Sequence, residues 1–155
     1  MKPKKIWTIS FVVFAIMLLA LWWGIPTYRK AKADAIVNEL CVKDGGIKVY
    51  ETVKLPASRF DQYGNVRVPS FKYKKADDEF YYKTENTWIV RGAGDPNDLV
   101  IWRGRYELYR SSDQTKLAES TYYARRGGDP PSPAHPSSYQ CPEDVGVEKN
   151  VFISN

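Results

Sequence analysis

The chain of 155 residues has few of the side chains on which catalysis most often depends. It holds one histidine, His135, and two cysteines, Cys41 and Cys141, with no Cys-x-x-Cys pair. A Ser-His-Asp or Cys-His centre would have to use His135, which sits in a proline-rich stretch and reads as a surface residue. No serine carries a nucleophile-elbow glycine motif. The same scarcity argues against a histidine-rich or thiolate zinc site, and no cofactor is expected. The first 33 positions contain no acid, and no charge interrupts Ile6 to Pro26. There is no internal repeat.

That charge-free run, IWTISFVVFAIMLLALWWGIP, has 21 residues. At about 1.5 Å of rise per residue, a helix of this length matches a hydrocarbon core of roughly 30 Å. Trp7 near one end, and Trp22, Trp23 and Tyr28 near the other, are placed for the headgroup level. The expectation is a transmembrane helix over 6–26 after a basic cytoplasmic leader, 1–5. Ala31-Lys-Ala33 has the form of a signal-peptidase site. Its distance from the apolar run, with Arg29, Lys30 and Lys32 between, favours a retained anchor over cleavage. Positive charge is nearly balanced on the two flanks, so charge alone does not orient the span. The short basic leader resists translocation, and an even cysteine count suits an oxidising compartment. Together they orient the carboxy-terminal domain outside the cytoplasm, in the periplasm of a bacterial inner membrane.

The formal charge of +5 resembles a nucleic-acid footprint until it is located. Six of the 23 basic residues lie in residues 1–33; the other 17 face all 18 acidic ones, leaving that part at −1. The basicity belongs to the membrane flanks, and the domain has no electrostatic case for nucleic acid. With about 120 residues it can bury one hydrophobic core.

Cys41 and Cys141 are read as a structural disulfide tying the carboxy-terminal segment to the helix that leaves the membrane. Two unrelated thiols, or a redox pair, are the alternatives. Residues 27–46 form the juxtamembrane helix, whose apolar face is Ala33, Ile36, Val37, Leu40 and Cys41, stopped by Asp44-Gly-Gly46. From Ile47 the period changes to two, and Ile47 to Leu55 reads as one strand ended by Pro56. Val66–Val68 and Phe71–Lys74 are candidate short strands around an Asp61–Asn65 turn. Glu79–Lys83 with Thr87–Arg91, then Leu99–Arg110, then Lys116–Arg126, predict an antiparallel meander within a sheet domain spanning 47–126. Residues 127–155 read as a proline-rich surface loop with a last edge strand over Val145–Ile153. The fold class is α+β, the helix packing on the sheet.

The acidic clusters Asp77-Asp78-Glu79 and Asp95/Asp98 could ligate calcium or supply a glycosidase pair, but both have ordinary turn chemistry. Gly92-Ala-Gly94 lacks the rest of a phosphate cradle. The aromatic content is more informative: ten of the eleven tyrosines lie in the domain, with doublets at Tyr81-Tyr82 and Tyr122-Tyr123. In a strand doublet one ring faces in and the other out. Tyr82 and Tyr122 with Arg103, Arg105 and Arg125 are therefore the candidate binding face.

Cys41 to Leu55, CVKDGGIKVYETVKL, resembles a segment of small uncharacterised bacterial membrane-anchored proteins, which implies an inner-membrane setting and no activity. An amino-terminal apolar helix running into a sheet is similar in outline to type IV pilins and pseudopilins. The chain departs from their pattern, with no glutamate in the apolar run and no glycine before it. The functional expectation is a non-enzymatic, membrane-anchored domain that binds a protein partner, as an accessory subunit or an immunity or exclusion factor. The alternative is a peptidoglycan- or glycan-binding envelope protein, or a hydrolase of such glycans, that uses the exposed tyrosines with a carboxylate.

Overall fold

The computed structural model describes residues 3–95, 97–130 and 135–155, with side chains from Ser10 onward. The expected Trp7 interface contact and residues 131–134 of the proline-rich loop therefore lie outside what is described.

The span and the juxtamembrane helix are one element, α1, from Pro3 to Asp44. It runs through Pro26, whose missing N–H removes one ladder bond. Beside it the Thr27 hydroxyl donates to the Trp23 carbonyl at 2.7 Å. The helix is long and apolar enough to cross a membrane, and its most apolar stretch buries nothing against the rest of the chain. Phe11, Phe14, Leu19, Trp22, Trp23 and Tyr28 are all exposed. The second half behaves differently. Ala33, Val37 and Cys41, four residues apart, are buried, with Ile36 and Leu40 packed beside them. The helix ends at Gly45–Gly46, where Gly46 takes φ +120° and a β-carbon on Gly45 would meet the Cys41 carbonyl at 2.6 Å.

Three strands of 11 residues form the meander: β3 (Phe80–Val90), β4 (Val100–Arg110) and β5 (Lys116–Arg126). All pair antiparallel. Earlier in the chain come β1 (Gly46–Val49) and β2 (Val53–Leu55); later come β6 (Ser138–Cys141), a single helical turn α2 (Glu148–Val151), and β7 (Phe152–Ser154). The main sheet has the order β1-β5-β4-β3, and β6 shares the outer edge of β5 with β1. This α+β arrangement agrees with the expected class.

Several expected elements differ. Ile47–Leu55 is two strands in two sheets: β1 pairs β5, whereas β2 pairs β7 in parallel. The break arises where the amides of Tyr50 and Glu51 both donate to the Leu117 carbonyl, ending the ladder. Val66 makes an isolated bridge to Phe60, and Phe71–Tyr73 is a 3₁₀ turn rather than a strand. Of the two readings open for Glu79–Lys83 and Thr87–Arg91, two strands or one bent strand, the structure has the second, Phe80–Val90 with a bulge between Trp88 and Val90. Part of the presumed surface loop, Ser138–Cys141, is β6. The expected edge strand at Val145–Ile153 is instead an irregular stretch to Val147, then α2, with strand only from Phe152 in β7.

The two sheet faces are covered at opposite ends. On one face α1 packs over the ends of β4 and β5 nearest Pro26, burying Val37, Ile101 and Tyr123. On the other face the far end is covered by β2, β7 and α2, around Leu55, Leu108, Leu117, Val151 and Phe152. Each fully buried aliphatic side chain contributes about 1.5–3 kcal/mol. The sulfurs of Cys41 and Cys141 are 2.01 Å apart, joining the end of α1 to β6.

Candidate interaction surface

Register decides which of the expected binding residues share a face. Tyr122 pairs with Gly104 and Tyr123 with Arg103. Tyr82 pairs with Leu108. Tyr82 and Tyr122 therefore lie on the face away from α1, and Arg103, Arg105 and Arg125 on the α1 face. The expected tyrosine–arginine face is not assembled, and this is a correction to the sequence reading.

Nor is each residue free to bind. Arg125 is 1% exposed. Its Nε donates to Asp34 at 2.6 Å, and its Nη1 to the Gly127 carbonyl at 2.8 Å and the Ser137 hydroxyl at 3.0 Å. It is a structural clamp. Arg103 donates to Asp44 at 2.8 Å, and the Tyr123 hydroxyl donates to the other oxygen of the same carboxylate at 2.6 Å. Burial, helped by that carboxylate, pushes the Tyr123 phenol up. Arg105 is half-buried opposite Glu85.

On the other face the Tyr82 ring stacks on Tyr106 at 4.7 Å between centroids. The Tyr106 hydroxyl donates to Glu148 of α2. Burial first, and then that carboxylate, drive the Tyr106 phenol far above its ordinary value. Tyr82 thus belongs to the packing of α2. The Tyr122 ring lies over Gly104, where a β-carbon would come within 2.0 Å of its Cζ.

Far from α1, the charges on the α1 face satisfy one another. The Lys116 ammonium bridges Glu107 at 2.5 Å and Glu119 at 3.1 Å. Burial opposes ionisation of Glu107, but the Lys116 and Tyr109 donors outweigh it and hold the carboxyl low. Lys83 lies over the Tyr109 and Phe71 rings at 5.0 and 4.8 Å. Among the described residues no group of three His, Cys, Asp or Glu could hold a metal. His135 is exposed. The Asp98 carboxylate takes the amides of Gly94 and Asp95, so those donors serve the turn and cradle no phosphate.

What stays open is the outer side of β3, which composition did not single out. β3 ends the main sheet, and from Lys83 to Val90 every residue is exposed. The Tyr82 amide points outward, donating to the Pro69 carbonyl at 3.0 Å. By the alternation of an antiparallel ladder, the amides of Thr84, Asn86 and Trp88 point outward too. Trp88 and Ile89 are each 45% exposed and Val90 38%. The Trp88 ring meets Trp102 edge-on at 5.8 Å. Beside it is a cleft of about 580 Å³ lined by Trp88, Val100, Arg91, Asp95 and Arg126. Three successive apolar residues at the end of a strand were the available signal.

No protein-family model, curated protein or solved structure matches the chain.

Proposed function

We propose that this chain is a single-pass, membrane-anchored protein whose domain stands outside the cytoplasm of a bacterial inner membrane. There it captures a protein partner by adding the partner's strand to β3. It acts without chemistry of its own, as an accessory subunit of an envelope complex or as an immunity or exclusion factor. The observation that carries the reading is the open edge of β3, exposed from Lys83 to Val90, with the amides of Thr84, Asn86 and Trp88 pointing outward. Unpaired edges of this length are templates for another strand, and proteins that do not use them blunt them with proline, lysine, a bulge or a covering loop; the bulge of β3 comes only after Trp88. Here Lys83 is the one lysine between Lys83 and Val90, and no proline interrupts them. The anchoring supports come from the unburied apolar half of α1 and the basic leader; the Cys41–Cys141 bond suits an oxidising compartment.

A second reading, a peptidoglycan or glycan binder, draws on the cleft beside Trp88, which combines an aromatic wall with Arg91, Asp95 and Arg126.

The test is photo-crosslinking from Thr84 or Asn86 of the full-length chain in its native membrane. The expected result is one discrete protein adduct, lost when the other of these positions is proline or when Trp88 is replaced by lysine. Thermal unfolding confirms that the variants are folded. An adduct unchanged by both replacements removes the β3 edge as the site. Retention of purified peptidoglycan by the full chain, abolished by Trp88→Ala, would replace the reading with the glycan one.

A further inference from the structure

The end of the sheet nearest Pro26 lies beside the point where the apolar run of α1 stops. Val90, Gly92 and Leu99 line one crevice with Pro26 and Arg29 of α1. Pro26 closes the apolar run, so its level is the edge of the hydrocarbon core. The headgroup layer adds roughly 5–7 Å on each side. Lys30, four residues on and about 6 Å higher along the helix, is bonded to Asp129 at 2.8 Å. Gly92, Asn97–Leu99 and Gly128–Asp129 thus meet α1 inside the thickness of the headgroups.

α1 stays helical across this level, with one ladder bond removed at Pro26, and its upper half is held to the sheet by Lys30–Asp129, Asp34–Arg125 and Cys41–Cys141. The domain is thus seated on the part of α1 that follows Pro26. The loops are themselves interlocked. The Gly128 amide donates to the Asn97 carbonyl at 3.0 Å, and a β-carbon on Gly127 would strike the Asp98 carbonyl at 2.1 Å.

The chemistry matches the setting. Trp88, Ile89 and Val90 form an exposed apolar rim, and tryptophan is enriched at the headgroup level. Arg29, Arg91 and Arg126 are exposed around it. Of the acids nearby, Asp129 pairs with Lys30 and Ser137 and Asp98 takes the amides of Gly94 and Asp95, while Asp95, which takes the Asn97 amide, stays exposed. Three exposed guanidiniums thus face one exposed carboxylate, an excess that anionic headgroups attract.

We infer that the Trp88–Ile89–Val90 rim, with Arg29, Arg91 and Arg126, docks on the anionic headgroups of the bilayer that holds α1. This rests on the reading of α1 as a membrane span. The bound lipid fixes the orientation of the β3 edge, presenting Lys83 to Thr87 above the membrane.

The experiment places an environment-sensitive fluorophore, by an unnatural amino acid, at Ala93 of the full chain. Controls carry it at Leu18 and at Tyr63. Each protein is reconstituted into phosphatidylcholine–phosphatidylglycerol vesicles containing headgroup-labelled or acyl-labelled quencher lipids. The expected result is acyl-level quenching at Leu18, and headgroup-level quenching at Ala93 several-fold above that at Tyr63. Arg91→Glu with Ile89→Asp should remove the Ala93 signal and leave Leu18 unchanged. Leu18 quenched with Ala93 no more quenched than Tyr63 overturns the docking alone. Leu18 unquenched overturns the span on which it rests. An Ala93 signal untouched by the double replacement removes these side chains as its cause.

Discussion

The guanidinium of Arg125 and the carboxylate of Asp34, 91 residues apart in sequence, meet at 2.6 Å where α1 crosses β5. The arginine is almost wholly enclosed, whereas the aspartate side chain keeps 29% of its exposure. An enclosed cation whose partner is removed retains its desolvation cost without the compensating charge. Asp34→Ala should therefore destabilise the domain by about 2–3 kcal/mol, less than for a fully buried pair, because Gly127 and Ser137 still accept from the guanidinium. Adding Arg125→Leu to Asp34→Ala should cost less than the sum of the two single changes. Denaturant unfolding of the four proteins checks this; additive losses would show that the two residues do not act as a pair.

The disulfide between Cys41 and Cys141 closes a loop of 100 residues that contains the whole meander. Constraining so long a loop is worth on the order of 4–5 kcal/mol in the chain-entropy account. Replacing both cysteines with serine should lower stability by that order. Amide exchange should rise first in β6, a four-residue strand that pairs with β5 and packs on α1. Unfolding with and without reductant gives the comparison, and a midpoint that ignores reductant would mean that the bond contributes nothing.

Asp129 supplies a pH dependence of known sign. Its partial burial favours the neutral acid, but the Lys30 ammonium and the Ser137 amide and hydroxyl outweigh this and bring the carboxyl to about 2. A carboxylate depressed below its unfolded value of about 3.9 adds stability above that pH and loses it as pH falls through the folded value. The tether between α1 and the 127–137 segment should weaken between about pH 4 and pH 2. Asp61 and Asp113 are likewise held low, by the amides of Asn65 and Thr115. The comparison with Asp129→Asn isolates the tether: the stability gap between the two proteins should close across that window. A gap constant with pH would contradict the assignment.

The meander was legible because β4 alternates from Trp102 to Leu108 after an apolar start at Val100–Ile101, and short polar turns bound it. The buried face of α1 was legible for the same reason, its apolar residues recurring at three- and four-residue steps. The binding face was not. Within β4 the parity of Arg103 and Trp102 could be read from alternation, but the match of Tyr122 to Gly104 is a property of inter-strand register, set by the turn at 111–115 and the bulge at Leu117. Arg125 looked like a surface residue because its partners, Asp34 and Ser137, come from distant segments. The split of Ile47–Leu55 depends on two amides sharing one carbonyl, for which local sequence has no pattern.

Gly104 permits the Tyr122 ring to lie flat across β4, and its hydroxyl reaches within 3.4 Å of the Asn86 side-chain oxygen on β3. A β-carbon at 104 occupies that space, so Gly104→Ala should swing the ring away and cost about 1–2 kcal/mol through lost cover and strain. The backbone there is ordinary strand, where glycine is itself weaker than alanine by roughly 0.5–1 kcal/mol. In a Tyr122→Ala background the same change should therefore become neutral or stabilising. Denaturant midpoints for the four proteins decide it. A loss at 104 that persists without the tyrosine would place the constraint in the backbone and not in the ring. Because the ring covers the strand behind Trp102 and leaves the outward amides of β3 untouched, Gly104→Ala should also preserve any partner held on that edge. A partner lost with the ring would instead bind the face that carries Trp102 and Tyr122.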